Sequence, residues 1–147
     1  MELKATVSMK GAIFDGTAPK IIHEKLLSAM YEATQFLERK VKEKTPYRTG
    51  HLRSTIFGEV VKYGTPVTGL VGHTCKYGDP VEWGTGIYGP KRMAYTITTK
   101  TGKKVTRKGM MGSFMFAKTF NNDWAKVTEI FDRMGFDIAA KLSEDKS

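Results

Sequence analysis

Thr45-Pro-Tyr-Arg-Thr-Gly-His-Leu-Arg-Ser-Thr-Ile56 separates a helical N-terminal part of the chain from a region of short strands. Pro46 lacks the backbone N–H that a helix interior requires, so the run before it stops there, and Gly50 turns the chain. Beyond the turn Leu52, Ser54 and Ile56 alternate with Arg53, Thr55 and Phe57, which predicts a strand. Upstream, Ile22, Leu26, Met30, Ala33, Leu37 and Val41 recur at three- and four-residue steps. Asp15-Gly-Thr-Ala-Pro19 places a capping residue and a first-turn proline ahead of them. The spacing predicts a long amphipathic helix from Pro19 to Lys44, with Glu24, Lys25, Glu32, Glu38, Arg39, Lys42 and Glu43 on its polar face and a Lys-rich last turn, as the helix dipole prefers. Before it, Leu3, Ala5, Val7 and Met9 alternate with Lys4, Thr6, Ser8 and Lys10, a strand pattern.

After the Thr-Gly turn, short runs separated by turn residues predict antiparallel strands at Leu52 to Lys62, Val67 to Thr74 and Lys76 to Trp83, since connections this short cannot cross over to make parallel pairs. Met93 to Arg107 reads as a β-hairpin around Thr101-Gly102, rich in β-branched residues, with Lys100, Lys103 and Lys104 at its tip. Asn121 or Asn122 is a capping candidate for a last helix whose apolar stripe is Trp124, Val127, Ile130, Phe131, Met134, Ile138 and Leu142. Gly135 inside that helix costs about 1 kcal/mol in propensity, which predicts close packing or a kink. The expected architecture is a single α+β domain over residues 1–142, a curved antiparallel sheet packed against the two helices with the basic hairpin protruding, and a disordered tail over residues 143–147.

The 147 residues carry 24 Lys and Arg against 15 Asp and Glu, a formal charge of +9. The excess is local. Between Trp83 and Asn122 there is no acidic residue, while Lys91, Arg92, Lys100, Lys103, Lys104, Arg107, Lys108 and Lys118 all fall there. A clustered cationic surface attracts polyanions, DNA first among them. The plainer reading is a solvated hairpin tip whose lysines keep an edge strand from pairing with strangers. The single Cys75 cannot pair within the chain and reads as a small buried hydrophobe. No apolar leader opens the sequence and no run reaches the length of a membrane span, so a soluble cytoplasmic product is expected.

Catalytic equipment is sparse. His23, His51 and His73 are scattered without a second ligand at metal spacing, so no metal is expected. Gly84-Thr-Gly-Ile-Tyr-Gly89 satisfies Gly-x-Gly-x-x-Gly, but Pro90 and the basic residues after it do not open an apolar helix, so no dinucleotide cofactor is expected. Asp79 and Glu82, three apart in the expected strand, face opposite sides of the sheet and make no acid/base pair. Glu82 is instead expected to pair with a basic side chain, Arg53 or one on a neighbouring subunit. The aromatics from Trp83 to Trp124 interleave with the basic run, a mixture that can stack on bases, although core packing is the better reading for most of them. Met110-Met-Gly-Ser-Phe-Met115 adds pliable apolar surface.

Taken together, the Thr45–Ile56 stretch and Tyr77-Gly-Asp-Pro-Val-Glu-Trp-Gly-Thr85 resemble the signature of a tailed-phage family, the tail-completion (neck, minor tail component) proteins of the phage HK-ninety-seven gene-product-ten-like type. That family runs a long helix into a Thr-Pro-x-x-Thr-Gly-x-Leu-Arg-x-Ser-Ile-like turn and later carries a Tyr-Ala-x-x-Val-Glu-Phe-Gly-Thr-like strand. Thr49, Gly50, Leu52, Arg53, Glu82, Trp83, Gly84 and Thr85 carry the likeness, which spans roughly Thr17 to Leu142. Gly78 stands where the family has Ala, and Gly112-Ser-Phe-Met-Phe-Ala117 replaces an Arg-Pro-Phe-Leu-x-Pro-Ala stretch with neither proline. The resemblance implies a structural virion protein rather than an enzyme. It would form a ring of copies of itself at the head-tail interface, joining connector or adaptor proteins to the tail tube or tail terminator, and would be assembled in the host bacterial cytoplasm. DNA passing through the neck is a further expected partner and a membrane is not. A different reading is a small DNA-binding module that uses Lys100, Lys103, Lys104, Arg107 and Lys108 on phosphates; an enzyme or toxin without a visible site is a third.

Overall fold

In the computed structural model, which describes residues 2–4, 18–61 and 66–144, one long helix packs on a small antiparallel sheet, a second long helix packs on the first, and a separate two-stranded ribbon extends from the same unit. The elements run β1 (Glu2–Lys4), α1 (Ala18–Lys44), α2 (His51–Ser54), β2 (Ile56–Val61), β3 (Thr68–His73), α3 (Gly78–Trp83), a 3-10 turn (Gly86–Tyr88), β4 (Tyr95–Thr98), β5 (Lys104–Arg107) and α4 (Met115–Glu144). The main sheet has the order β1-β3-β2, all antiparallel, and β4 pairs with β5 alone. This is the expected α+β architecture.

The α1 helix forms where its apolar period dictates, with Met30, Ala33, Leu37 and Val41 fully buried against Ile56 and Val71 of the sheet. Met30, Leu37 and Val41 each contribute about 1.5–3 kcal/mol. The approach is close because two glycines face the helix. A Cβ on Gly69 would lie 2.6 Å from Thr34 Cγ2, and one on Gly58 would lie 2.7 Å from the Thr34 carbonyl oxygen. At Gly58, α1 also satisfies the edge strand β2: the Gly58 N–H donates to Glu38 Oε2 at 2.7 Å, and Gln35 Nε2 donates to the Gly58 carbonyl at 3.1 Å. At that residue the edge offers no free backbone group for strand addition.

α4 lies antiparallel on α1, and ion pairs mark the seam: Lys25 with Asp137 at 3.4 Å, Arg133 with Glu32 at 2.5 Å, and Lys44 with Asp123. Val127 and Ile130 enter the core from this helix.

Four expectations are corrected. The run from His51 to Ser54 is a helical turn, not the start of a strand, and β2 begins only at Ile56. Leu52 and Ile56, which looked like alternating strand positions, are also four apart, and both are buried. Local hydroxyls decide between the two readings: Ser54 Oγ donates to the His51 carbonyl at 2.8 Å and Thr55 Oγ1 to that of Leu52 at 2.7 Å, closing the turn on itself. Second, the expected strand from Lys76 to Trp83 is the helix α3, in whose first turn Pro80 sits, a position where its missing N–H costs nothing. Third, α4 starts at Met115, ahead of Asn121 and Asn122, and continues through Ser143 and Glu144 into the expected tail. Fourth, Gly135 faces open space, so close packing within the subunit does not explain it.

The hairpin stands as expected, with Thr98 opposite Lys104 and a turn closed by Gly102 at φ 79°. The N-terminal strand pattern beyond Lys4, the Asp15 cap, residues 62–65 between two of the expected strands and residues 145–147 lie outside the described residues.

Candidate functional site

The residues that carried the resemblance are brought together as structural joints. At the first, Thr49 Oγ1 accepts from the His51 N–H at 3.4 Å, and Gly50 adopts φ 78°, a left-handed conformation that a side chain resists. A Cβ there would also lie 3.0 Å from Tyr47 Cε2. Leu52 inserts into the core, and Arg53 reaches back, donating from Nη2 to the Thr45 carbonyl at 3.1 Å while its guanidinium lies 5.3 Å from the Tyr47 ring centroid. Arg53 therefore closes the C-terminal end of α1, where free carbonyls favour a cation.

The second joint is built on Glu82, which is only 3 % exposed. Its Oε2 accepts from the Phe116 N–H at 3.0 Å and its Oε1 from the Ala117 N–H at 3.1 Å. A buried carboxylate thus caps the N-terminus of α4, using the positive end of the helix dipole and two N–H groups that have no partner inside the helix. The expected pairing of Glu82 with Arg53 is not made: the cationic partner is a helix end rather than a side chain. Phe114, at φ 53°, brings the chain into that position, and its N–H donates to the Glu82 carbonyl at 3.1 Å. No cue in the local sequence signals a cap supplied from 34 residues away, whereas asparagines within the helix do carry a local signal.

Trp83, Gly84 and Thr85 continue this joint into the base of the ribbon. Trp83 meets Phe114 edge to face with ring centroids 6.2 Å apart, and Gly84 bridges Met111. The Thr85 N–H donates to the Met110 carbonyl at 2.8 Å, and Thr85 Oγ1 accepts from the Met110 N–H at 2.9 Å. Ile87 N–H donates to the Lys108 carbonyl at 2.7 Å. The two backbones run so close that a Cβ on Gly86 would fall 2.0 Å from the Lys108 carbonyl oxygen, and one on Gly109 2.0 Å from that of Thr85. The Gly-x-Gly-x-x-Gly spacing is therefore met by backbone crowding.

Between the two joints lies an apolar groove of about 610 Å³ walled by Pro46, Gly50 and Leu52 on one side and Tyr77, Pro80 and Val81 on the other, with Met110 and Met111 at its lip. Met111 is 70 % exposed, and Tyr47 and Tyr77 stand exposed nearby. Beneath α3 a second groove of about 560 Å³ holds His73, Asp79, Glu82 and Phe116. Because α3 is a helix, Asp79 and Glu82 lie on one side and not on opposite faces. Asp79 Oδ1 is 3.2 Å from His73 Nε2, while both Glu82 oxygens are already engaged by α4. Gly78 is required here, since a Cβ would lie 2.2 Å from the His73 ring.

The electrostatics divide in two. Six ion pairs join residues of the helical layer, and Arg133 is held above its ordinary range by hydrogen bonding to Glu32, Glu129 below its own by hydrogen bonding from Lys126. Lys100, Lys103, Lys104, Arg107 and Lys108 are all exposed on the ribbon and its tip, and among the described residues none of them joins an ion pair. Among the described residues no group of three His, Cys, Asp or Glu side chains is placed to hold a metal ion, and no helix is long and apolar enough to cross a membrane. No family model, curated protein or solved structure matches the chain.

Proposed function

We propose that this chain is a structural subunit of a tailed-phage virion that assembles as a ring at the head-tail interface, in the manner of the tail-completion proteins its two motifs resemble. The observation that carries the reading is the use made of those motifs. Arg53 closes one end of α1 and Glu82 caps α4, so these two charged residues of the motifs serve to hold elements in register. An enzyme reading has no comparable support: the buried carboxylate is engaged at both oxygens, and the exposed features are surfaces.

A ring requires two different patches on each subunit, one meeting the other on the next copy until the rotation closes. The apolar groove with its methionine lip supplies one such surface, since methionine adapts its shape to a partner and an exposed apolar patch marks contact. The exposed Phe136 of α4, beside Gly135 with open space around it, supplies a second surface that the isolated subunit does not explain.

An amber codon placed in the gene of the phage that carries it tests the reading. The expected lysate contains DNA-filled heads and separate tails, restored to infectious particles when the chain is supplied in trans. Normal virions made without the chain would overturn it.

A further inference from the structure

We propose that the β4–β5 ribbon is a binding arm for duplex DNA, inserted as a unit into a groove and held by phosphate contacts. The inference goes beyond the joining role and stands on different observations.

The first is the charge and its lack of partners. Five cations, Lys100, Lys103, Lys104 and Arg107 on the ribbon and its tip and Lys108 at its base, sit in a stretch from Trp83 to Asn122 that has no acidic residue. Six ion pairs join residues of the helices of the same chain, and among the described residues none reaches the ribbon.

The second is how the ribbon is presented. It is a two-stranded sheet, β4 is exposed along its whole length, and in β5 only Val105 is half-buried. A lone hairpin is marginally stable in water. This one is anchored at its base by the backbone bonds of Thr85 and Ile87 to Met110 and Lys108, so its direction is fixed while its faces stay free.

The third observation selects the polyanion. Cross-strand register puts Tyr95, Ile97, Val105 and Arg107 on one face and Thr96, Thr98, Lys104 and Thr106 on the other. Both faces therefore carry a cation, and one adds three hydroxyls able to donate to phosphate oxygens. An acidic protein surface would engage one face. A major groove, about 12 Å wide, admits a two-stranded ribbon and offers phosphates on both sides. Tyr95 is the ribbon's only aromatic, too few for the stacking platform that single strands use.

The test is fluorescence anisotropy of a labelled mixed-sequence 20-base-pair duplex with the purified full chain, titrated between 50 and 300 mM NaCl. Five phosphate contacts give a slope of log K against log salt of about −4.5, and removing three brings it to about −1.8. The variant K100E/K103E/K104E should accordingly lose about 500-fold in affinity at 0.1 M NaCl, with its melting temperature unchanged. K100Q/K103Q/K104Q provides the same test without added negative charge and should weaken binding in the same direction. K141E, on the last turn of α4, should bind as the parent chain does. Absence of saturable duplex binding at 50 mM NaCl, a slope that the glutamine variant leaves unchanged, or equal affinity for single-stranded DNA or polyglutamate would each overturn the proposal. Because the readout is the purified chain on a free duplex, its failure is separate from any failure of particle joining.

Discussion

Glu82→Ala is expected to unseat the first turn of α4 and to cost about 3 kcal/mol of stability. The substitution removes both acceptors of the Phe116 and Ala117 N–H groups, which are bonded at 3.0 and 3.1 Å by a carboxylate only 3 % exposed. Hydrogen bonds to a charged group contribute about 1.5–3 kcal/mol each, and a buried donor left unsatisfied costs about 1–3 kcal/mol. Release of the carboxylate from its buried setting offsets part of the sum. For a domain of this length about 3 kcal/mol corresponds to a fall in Tm of about 6–12 °C. Glu82→Gln retains one acceptor but loses the attraction of a charge for the helix dipole, and about half the effect is expected. Thermal denaturation followed by circular dichroism measures both, and hydrogen exchange at Phe116 and Ala117 should accelerate before exchange at the centre of α4 does. A Tm within about 2 °C of the parent for Glu82→Ala would refute the assignment of Glu82 as the cap of α4.

Gly50→Val forces a β-branched side chain into φ 78° with Tyr47 beside it, and urea denaturation should show a loss of about 1–3 kcal/mol. Arg53→Met keeps the aliphatic packing but loses the bond to the Thr45 carbonyl, so about 1–2 kcal/mol should be lost in the same measurement. Gly109→Ala places a Cβ against the Thr85 carbonyl, so amide exchange at Thr85 and Ile87 should rise strongly while the α1 core keeps its protection; unchanged exchange would show that the ribbon base is not held as described.

The two long helices and the hairpin were legible because each rests on a repeated local signal, apolar spacing in α1 and α4 and β-branched residues flanking Thr101-Gly102 in the ribbon. The turn at Gly50 was legible from the residue itself, since glycine takes a positive φ at the least cost. What could not be read is what depends on contact between distant segments. Tyr77 to Trp83 has a strand-like composition, yet Pro80 and the need to aim Glu82 at α4 make it a helix. The start of α4 is fixed by a side chain far away in sequence, so asparagines that fit the local rule for a cap lie inside the helix instead. Of the candidate site, the cluster of cations was visible as a count of charges. That six helical acids are already paired and the ribbon cations are not required the fold, because pairing joins residues as distant as Glu32 and Arg133.

The proposal places the chain in a closed ring where head meets tail. Cryo-electron microscopy of virions carrying a tagged copy of the chain measures this directly. The account predicts tag density at the neck, repeated around the tail axis as a closed ring, with the groove lined by Met110 and Met111 covered by the next subunit. Complete, infectious particles with no copy of the chain at the head-tail junction would contradict it.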